Sequence, residues 1–366
     1  MTRDQLFKAV AAGQIARAYA FYGRETLILD SAIKAIEDRI LPEGLEDLNR
    51  VVFEGEVPAS QIIEAGETFP LMADRRLVLI KNSPFLTSPS KNQKKKQGDA
   101  TVDAPDGAPS EEDDGGSRDS ASDDARRLAQ WLGRIPETVC LIFVSENKPS
   151  GQKVCGKALE KVAEYVEFGE LSETELLRWC QKEVRLLNCS MGIDAVAQLT
   201  SIAGKDLRVL RNEIQKLCAY VDGREITVED VESIVTPSAE YTVFKMIDAL
   251  MLGRPAQAET LLKGMLLRGE SPYAVIAMME RQLRILTSVR LLRSEGISLQ
   301  EMERRFEWRQ NVLRVAAQQA ARFSVESLRQ GYQACVDADF ALKSGRIRPE
   351  IALDRLMLAL ADMKTV

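Results

Sequence analysis

The stretch Ala18–Leu29, AYAFYGRETLIL, decides how the rest of the chain is read. AYAFY is a short apolar and aromatic run of the kind that forms a buried strand. Gly23 closes it, and a helix is predicted from about Glu25 to Ile40. Leu27, Ile28, Ala32, Ile33, Ala35 and Ile36 supply its apolar stripe. The unit then repeats. Arg50–Phe53 (RVVF), Leu77–Ile80 (LVLI), Val139–Val144 (VCLIFV) and Val166–Phe168 read as four more strands. Helices are predicted between them at Pro58–Ala65, Ala125–Leu132 and Lys153–Ala163, with Pro58 at a favoured first-turn position. Strands as uniformly apolar as VCLIFV need cover on both faces. Five such strands alternating with helices predict a parallel α/β domain over residues 1–170.

The same turn tests the chemistry. A phosphate-binding loop after the first strand needs the pattern G-x-x-x-x-G-K-[ST]. Its glycines let backbone N–H groups surround the phosphates and its lysine neutralises them. Here the strand runs into Gly23-Arg-Glu-Thr-Leu-Ile-Leu29, with no second glycine and no lysine. Glu25 places a negative charge at the helix N-terminus, where an anion would sit. The third strand ends in Lys81-Asn82 rather than in a magnesium-holding aspartate. A parallel α/β domain followed by a small helical domain, which begins after Leu171, suggests an AAA+-like fold, here without its nucleotide site and with no cofactor or catalytic residues. The chain has no histidine, which excludes Ser–His and Cys–His catalysis and removes the commonest metal ligand. Cys140, Cys155, Cys180, Cys189, Cys218 and Cys335 form no C-x-x-C pair. They read as small hydrophobes, and no metal site is expected.

The net charge of −6 is unevenly placed. Asp99–Asp124 holds ten acidic residues against one arginine, whereas Pro237 to the C-terminus holds 19 basic against 15 acidic. Residues Pro84–Asp124 are rich in Ser, Gly, Pro, Asp and Lys, include Lys94-Lys95-Lys96, and hold almost no large apolar side chain. Such a stretch buries too little surface to offset its ordering entropy, so it reads as a disordered insertion in a surface loop. There is no run of 18 apolar residues, and Met-Thr-Arg-Asp-Gln leads into a charged amphipathic helix rather than a signal sequence. A cytoplasmic protein with no membrane partner is expected.

Beyond Leu171 the pattern is helical. Ser172-Glu-Thr-Glu175 reads as a capping box. Helices follow at about Ile193–Ile202 and Asp206–Val221, Thr227-Val-Glu-Asp230 opens another, and roughly six more follow from Tyr241. Pro255, Pro272, Ser298 and Pro349 mark starts, and Gly253, Gly269, Gly296 and Gly345 mark ends. The expected architecture is α/β then all-α: the domain of residues 1–170, a small helical lid domain over 171–236, and a larger helical domain over 237–366.

Several segments together resemble one family. Tyr19–Leu29 is similar to the start of bacterial clamp-loader delta subunits of DNA polymerase III, which have a sterile AAA+ fold. Phe69-Pro-Leu-Met-Ala-Asp-Arg-Arg76 resembles their clamp-contacting segment. Gly204-Lys-Asp-Leu-Arg-Val-Leu-Arg-Asn-Glu-Ile-Gln-Lys-Leu217 resembles the family helix G-x-D-L-x-x-x-x-N-E-[IL]-x-K-L, and Phe244–Leu286 resembles the entry to the third domain. The insertion at 84–124 departs from the family.

The resemblance implies a subunit that performs no catalysis itself but serves a DNA-directed DNA polymerase. It binds the beta sliding clamp and opens it for loading onto primed DNA. ATP is held by other subunits, and the third domain joins a collar with the tau/gamma and delta prime subunits, around primer-template DNA. Phe69, Pro70, Leu71, Met72, Arg75 and Arg76 become the candidate clamp-binding residues. Leu71 and Met72 are expected as the exposed pair, Phe69 as an anchor to its own domain, and Arg75 and Arg76 as steering charges. Arg304, Arg305 and Trp308, in the aromatic–basic cluster RRFEWR, are candidates to face DNA, against the commoner reading of a helix–helix contact. The alternatives are a delta-prime-like non-ATPase subunit, whose cysteine cluster and Ser-Arg-Cys motif are absent, and an AAA+-type nucleotide-dependent regulator.

Overall fold

The computed structural model describes residues 1–86, 115–306 and 310–362. The chain divides into two compact units, Met1–Ser172 and Glu173–Val366.

The first unit contains, in order, α1 (Arg3–Ala11), β1 (Ala18–Tyr22), α2 (Thr26–Ile40), α3 (Glu46–Asn49), β2 (Arg50–Glu54), α4 (Ala59–Glu67), β3 (Arg76–Lys81), α5 (Gly115–Leu132), β4 (Val139–Ser145), α6 (Val154–Val162) and β5 (Glu164–Glu167). The five strands form one parallel sheet in the order β2-β3-β4-β1-β5. Period-two alternation explains the layers, because neighbouring residues of one strand face opposite sides. Tyr19 and Phe21 of β1, Leu77 and Leu79 of β3, and Ile142 of β4 pack with Leu6 of α1 and Ile33 and Ile36 of α2. Ala18 and Ala20, Val78 and Ile80, and Leu141 and Phe143 face the other way, onto Ile62 of α4, Trp131 of α5 and Leu159 of α6. This is the parallel α/β domain expected from the apolar runs. The central strands are buried on both faces, while edge strand β2 is not.

The turn after β1 is closed by the chain itself. Gly23 has φ 130° and donates its N–H to the Ser145 carbonyl at 3.2 Å. The Phe168 carbonyl accepts the Glu25 N–H at 2.9 Å, and a Cβ on Gly23 would collide with it. That carbonyl lies against the start of α2, the end that faces phosphate in a nucleotide-binding loop.

The two ends of the 84–124 stretch, residues 84–86 and 115–124, have defined structure, against the expectation of disorder across it. Leu86 is buried in the core beneath α4, α5 and α6, and its carbonyl accepts the Ser150 N–H at 2.9 Å. Helix α5 begins at Gly115 rather than Ala125. Once Leu128, Trp131 and Leu132 dock, extending a helix is far cheaper than starting one, so polar residues are carried along. Residues 87–114 lie outside the described residues.

Among its described residues, the regular structure of the second unit is helical apart from an isolated bridge between Met191 and Ile226. It comprises α7 (Glu173–Leu186), α8 (Ile193–Ala203), α9 (Leu207–Val221), α10 (Val228–Ile234), α11 (Ala239–Met251), α12 (Pro255–Leu267), α13 (Pro272–Ser294), α14 (Leu299–Phe306), α15 (Gln310–Ala320), α16 (Val325–Lys343) and α17 (Pro349–Ala361). Asp206 caps α9 by accepting the N–H groups of Arg208 (2.8 Å) and Val209 (3.0 Å), as its position before the apolar run predicts. Leu207, Leu210, Ile214 and Leu217 are buried, and Cys218 is half-buried rather than core. Glu213 is structural: its carboxylate accepts the Thr236 N–H at 3.2 Å and pairs with Lys216 at 2.7 Å. One apolar core, from Val243 to Leu360, is drawn from α11–α17 and from Phe323 between α15 and α16.

Candidate surface for a protein partner

The candidate residues Phe69, Pro70, Leu71 and Met72 lie on the connection between α4 and β3. Helix α4 ends where Thr68 turns back on Glu64, its N–H and its Oγ1 both donating to the Glu64 carbonyl, at 3.0 and 2.7 Å. The next residues project outward. Phe69 is 81% exposed, Leu71 53% and Met72 81%. Leu71 and Met72 are the exposed pair the sequence predicts. At that exposure Phe69 does not anchor the segment to its own domain; the anchor is polar.

That anchor is Asn49, the last residue of α3, which is fully buried. Its Oδ1 accepts the Leu71 N–H at 2.7 Å, and its Nδ2 donates to the Leu71 carbonyl at 2.9 Å and to the Leu45 carbonyl at 3.2 Å. One amide side chain thus satisfies both backbone polar groups of Leu71. Met72 follows with φ 54°, a left-handed conformation that a side-chain-bearing residue adopts at a cost.

Arg75 and Arg76 are both partly exposed and both bond back onto their own domain. Arg75 Nη1 donates to the Ile15 carbonyl at 2.8 Å, in the connection before β1. Tyr19 Oη accepts the Ala16 N–H in that same connection at 2.8 Å, and burial pushes its phenol up to about 12. Arg76 Nη1 donates to the Leu48 carbonyl of α3 at 3.3 Å. The Arg76 backbone N–H donates to the Thr138 carbonyl before β4, at 2.8 Å. The physical reason is local: each arginine stands at the entry to β3, beside orphan carbonyls of neighbouring connections that it can reach. The site is therefore built at the amino-terminal edge of the sheet, from the segments that enter β1, β2, β3 and β4. Ligands of open α/β sheets bind at the opposite, carboxyl edge. A shallow cavity of about 370 Å³, lined by Ser60, Ile63, Glu64, Glu67, Thr68 and Arg127, opens beside the end of α4. Its paired carboxylates do not suit a phosphate.

The other candidates are not a ready nucleic-acid surface. Arg304 and Arg305 on α14 both pair with Glu301, at 2.5 and 2.8 Å. Phe306 is partly exposed rather than a core contact, and Trp308 lies outside the described residues. Asn49 carried no signal in the sequence: it sits in a four-residue helix with no motif, and its role depends on a residue 22 positions away. No group of histidine, cysteine, aspartate and glutamate able to hold a metal occurs among the described residues. No helix among them is long and apolar enough to cross a membrane.

A family model described as "DNA polymerase III, delta subunit" matches residues 19–102, which include the whole exposed connection and Asn49. One described as "DNA polymerase III delta subunit, C-terminal domain" matches residues 240–360. DNA polymerase III subunit delta of Bacillus subtilis is 25% identical over 357 residues, 97% of this chain and 96% of the relative. The Haemophilus influenzae subunit of the same name is 19% identical over 83% of this chain and 81% of the relative. A solved structure of the Bacillus subtilis DNA clamp loader delta protein superposes with a TM-score of 0.60 at 24% identity, covering 98% of this chain and 99% of that one. With two models of one subunit matched on both units, and a relative aligned almost end to end, the chain belongs to the delta-subunit family of DNA polymerase III.

Proposed function

We propose that this chain docks onto the beta sliding clamp through Phe69, Leu71 and Met72 and opens the ring for loading onto primed DNA. The carrying observation is that three large apolar side chains stand exposed on one short connection whose backbone is tied down from beneath. Scattered apolar surface residues need no explanation, but three within four residues on a pinned backbone make a compact anchor for a partner's pocket. Pro70 restricts its own φ and its predecessor's conformations, which lowers the cost of ordering the segment on binding. Arg75 and Arg76 hold the segment to its sheet, and their charges, bonded to neutral carbonyls, also steer the encounter toward an acidic surface.

In the same reading the chain works in the cytoplasm, as three domains over residues 1–170, 171–236 and 237–366. The last joins the collar with the tau/gamma and delta prime subunits, and its self-contained core supports the division. Arg304 and Arg305, with Trp308, face primer-template DNA in the assembled loader. Both arginines must then leave Glu301 or share it.

The test is a titration of clamp against the wild-type chain and against the double variant Leu71→Ala, Met72→Ala. Burying one such side chain contributes roughly 1.5–3 kcal/mol, so losing both should weaken binding by about two to four decades. Equal affinities for two equally folded proteins would place the contact elsewhere.

A further inference from the structure

The structure assigns to Asn49 the role of positioning residue for the exposed connection: its side chain holds the Leu71 backbone so that Phe69, Leu71 and Met72 are presented before any partner arrives. The inference rests on the docking function proposed above and adds a residue that touches no partner.

The geometry leaves Asn49 no other use. A carboxamide offers two donors and an acceptor. Both N–H groups are spent on carbonyls, of Leu45 at 3.2 Å and Leu71 at 2.9 Å, and the oxygen is spent on the Leu71 N–H at 2.7 Å. A flipped amide would set its oxygen against two carbonyls and its N–H₂ against an N–H, so this orientation alone satisfies all three. A helix-capping role for Asn49 needs only the Leu45 bond. The two bonds to Leu71 reach across 22 residues and reproduce what a neighbouring strand would provide. They do so where no strand exists, one residue before a methionine held at φ 54°. That conformation is costly and persists only where its surroundings over-determine it. Among the described residues the two bonds from Asn49 are the only hydrogen bonds to the backbone of residues 69–72, so without the tether the segment must be ordered at binding instead of at folding.

The experiment compares the full chain, Asn49→Ala, Leu71→Ala/Met72→Ala and the triple variant. Two readouts are used: amide hydrogen exchange and affinity for the purified clamp. In the isolated wild-type chain the Leu71 amide is expected to be protected. In Asn49→Ala it should exchange rapidly while β3 and β4 amides such as Leu79 and Ile142 stay protected. Clamp affinity should fall by about ten- to a hundred-fold, the scale of ordering a few residues at binding. Adding Asn49→Ala to the double alanine variant should then cost little more, because the residue acts only through the side chains already removed. If the double alanine variant weakens binding and Asn49→Ala does not, the docking reading stands and the positioning role is overturned. If the double alanine variant binds like wild type, the docking reading itself fails. Should Asn49→Ala lose sheet protection as well, Asn49→Leu takes its place. It keeps the side chain's volume but has neither the oxygen that receives the Leu71 N–H nor the donors for its carbonyl, so selective exchange at residues 68–72 with reduced affinity supports the role. Unchanged exchange there overturns it.

Discussion

Single residues carry three of the consequences. Gly66 lies in α4 where a Cβ would collide with the buried Trp131 indole of α5. Gly66→Ala is therefore expected to destabilise the first unit by about 1–3 kcal/mol, the usual cost of overpacking, read by denaturant titration. Met72 separates backbone from side chain. Met72→Gly relieves the left-handed strain at φ 54° while deleting the anchor, so thermal stability should hold or rise as clamp affinity falls. A drop in both would mean that the methionine is packed, not presented. Asp230 gives a pH dependence. It accepts from both Nη atoms of Arg224 at 2.6 Å and caps α10 with Thr227, and these bonds hold its carboxyl well below the usual carboxylate range. A depressed folded-state pKa means the unfolded chain binds the proton first as pH falls. The stabilisation is then present at neutral pH and is lost below the ordinary aspartate value of about 4. Asp230→Asn should lower stability at pH 7 and flatten its acid-side dependence; an unchanged acid limb would show that other carboxylates govern it.

At the scale of elements, the edge of the sheet matters more than any one strand. The connection before β3 takes its tether from the end of α3, and Arg75 ties it to the connection before β1. The polar stretch between β3 and α5 is bounded by two packed ends, Leu86 and α5. Replacing residues 88–114 by a short Gly/Ser linker is expected to leave thermal stability nearly unchanged, on the composition of that stretch. Extending the cut to Pro84–Asp124 removes the buried Leu86 and the Asp124 carboxylate that accepts the Ala59 N–H at 3.3 Å. The wider cut should cost about 1.5–3 kcal/mol for the leucine alone. Equal stability after both cuts would show that these ends contribute nothing.

At the scale of the whole molecule, division of labour follows from what each unit offers. The first unit keeps an α/β sheet whose carboxyl-edge turn is closed by the Phe168 carbonyl, without a lysine to meet a phosphate. The isolated chain is expected to turn over no ATP; activity that survives purification and responds to mutation within Gly23–Leu29 would refute this. The core of α11–α17 is complete in itself. A chain ending at Thr236 keeps the Glu213 bond that closes α9 and should still bind the clamp, while failing to join other loader subunits. Normal assembly by that truncated chain would remove the collar role from residues 237–366.

The amino-acid sequence by itself determined the sheet, the order of helices and the missing phosphate loop. Apolar runs such as LVLI and VCLIFV cannot be placed other than between two layers, and caps such as Asp206 act within a few residues of their own helix. Leu71 and Met72 were legible as an exposed pair only through the resemblance to a family, because an apolar run of that length is as readily packed under its own sheet. Tertiary structure alone decided the rest of the site. Phe69 turned outward, Arg75 and Arg76 bonded back onto their own domain, and Asn49 became the anchor. Each outcome depends on which carbonyls and amides a fold brings together from segments 20 to 60 residues apart, such as Asn49 with Leu71 and Arg75 with Ile15. Hydrophobic periodicity is written along a chain; the partner of a single polar side chain is set only when strands entering one sheet edge stand side by side.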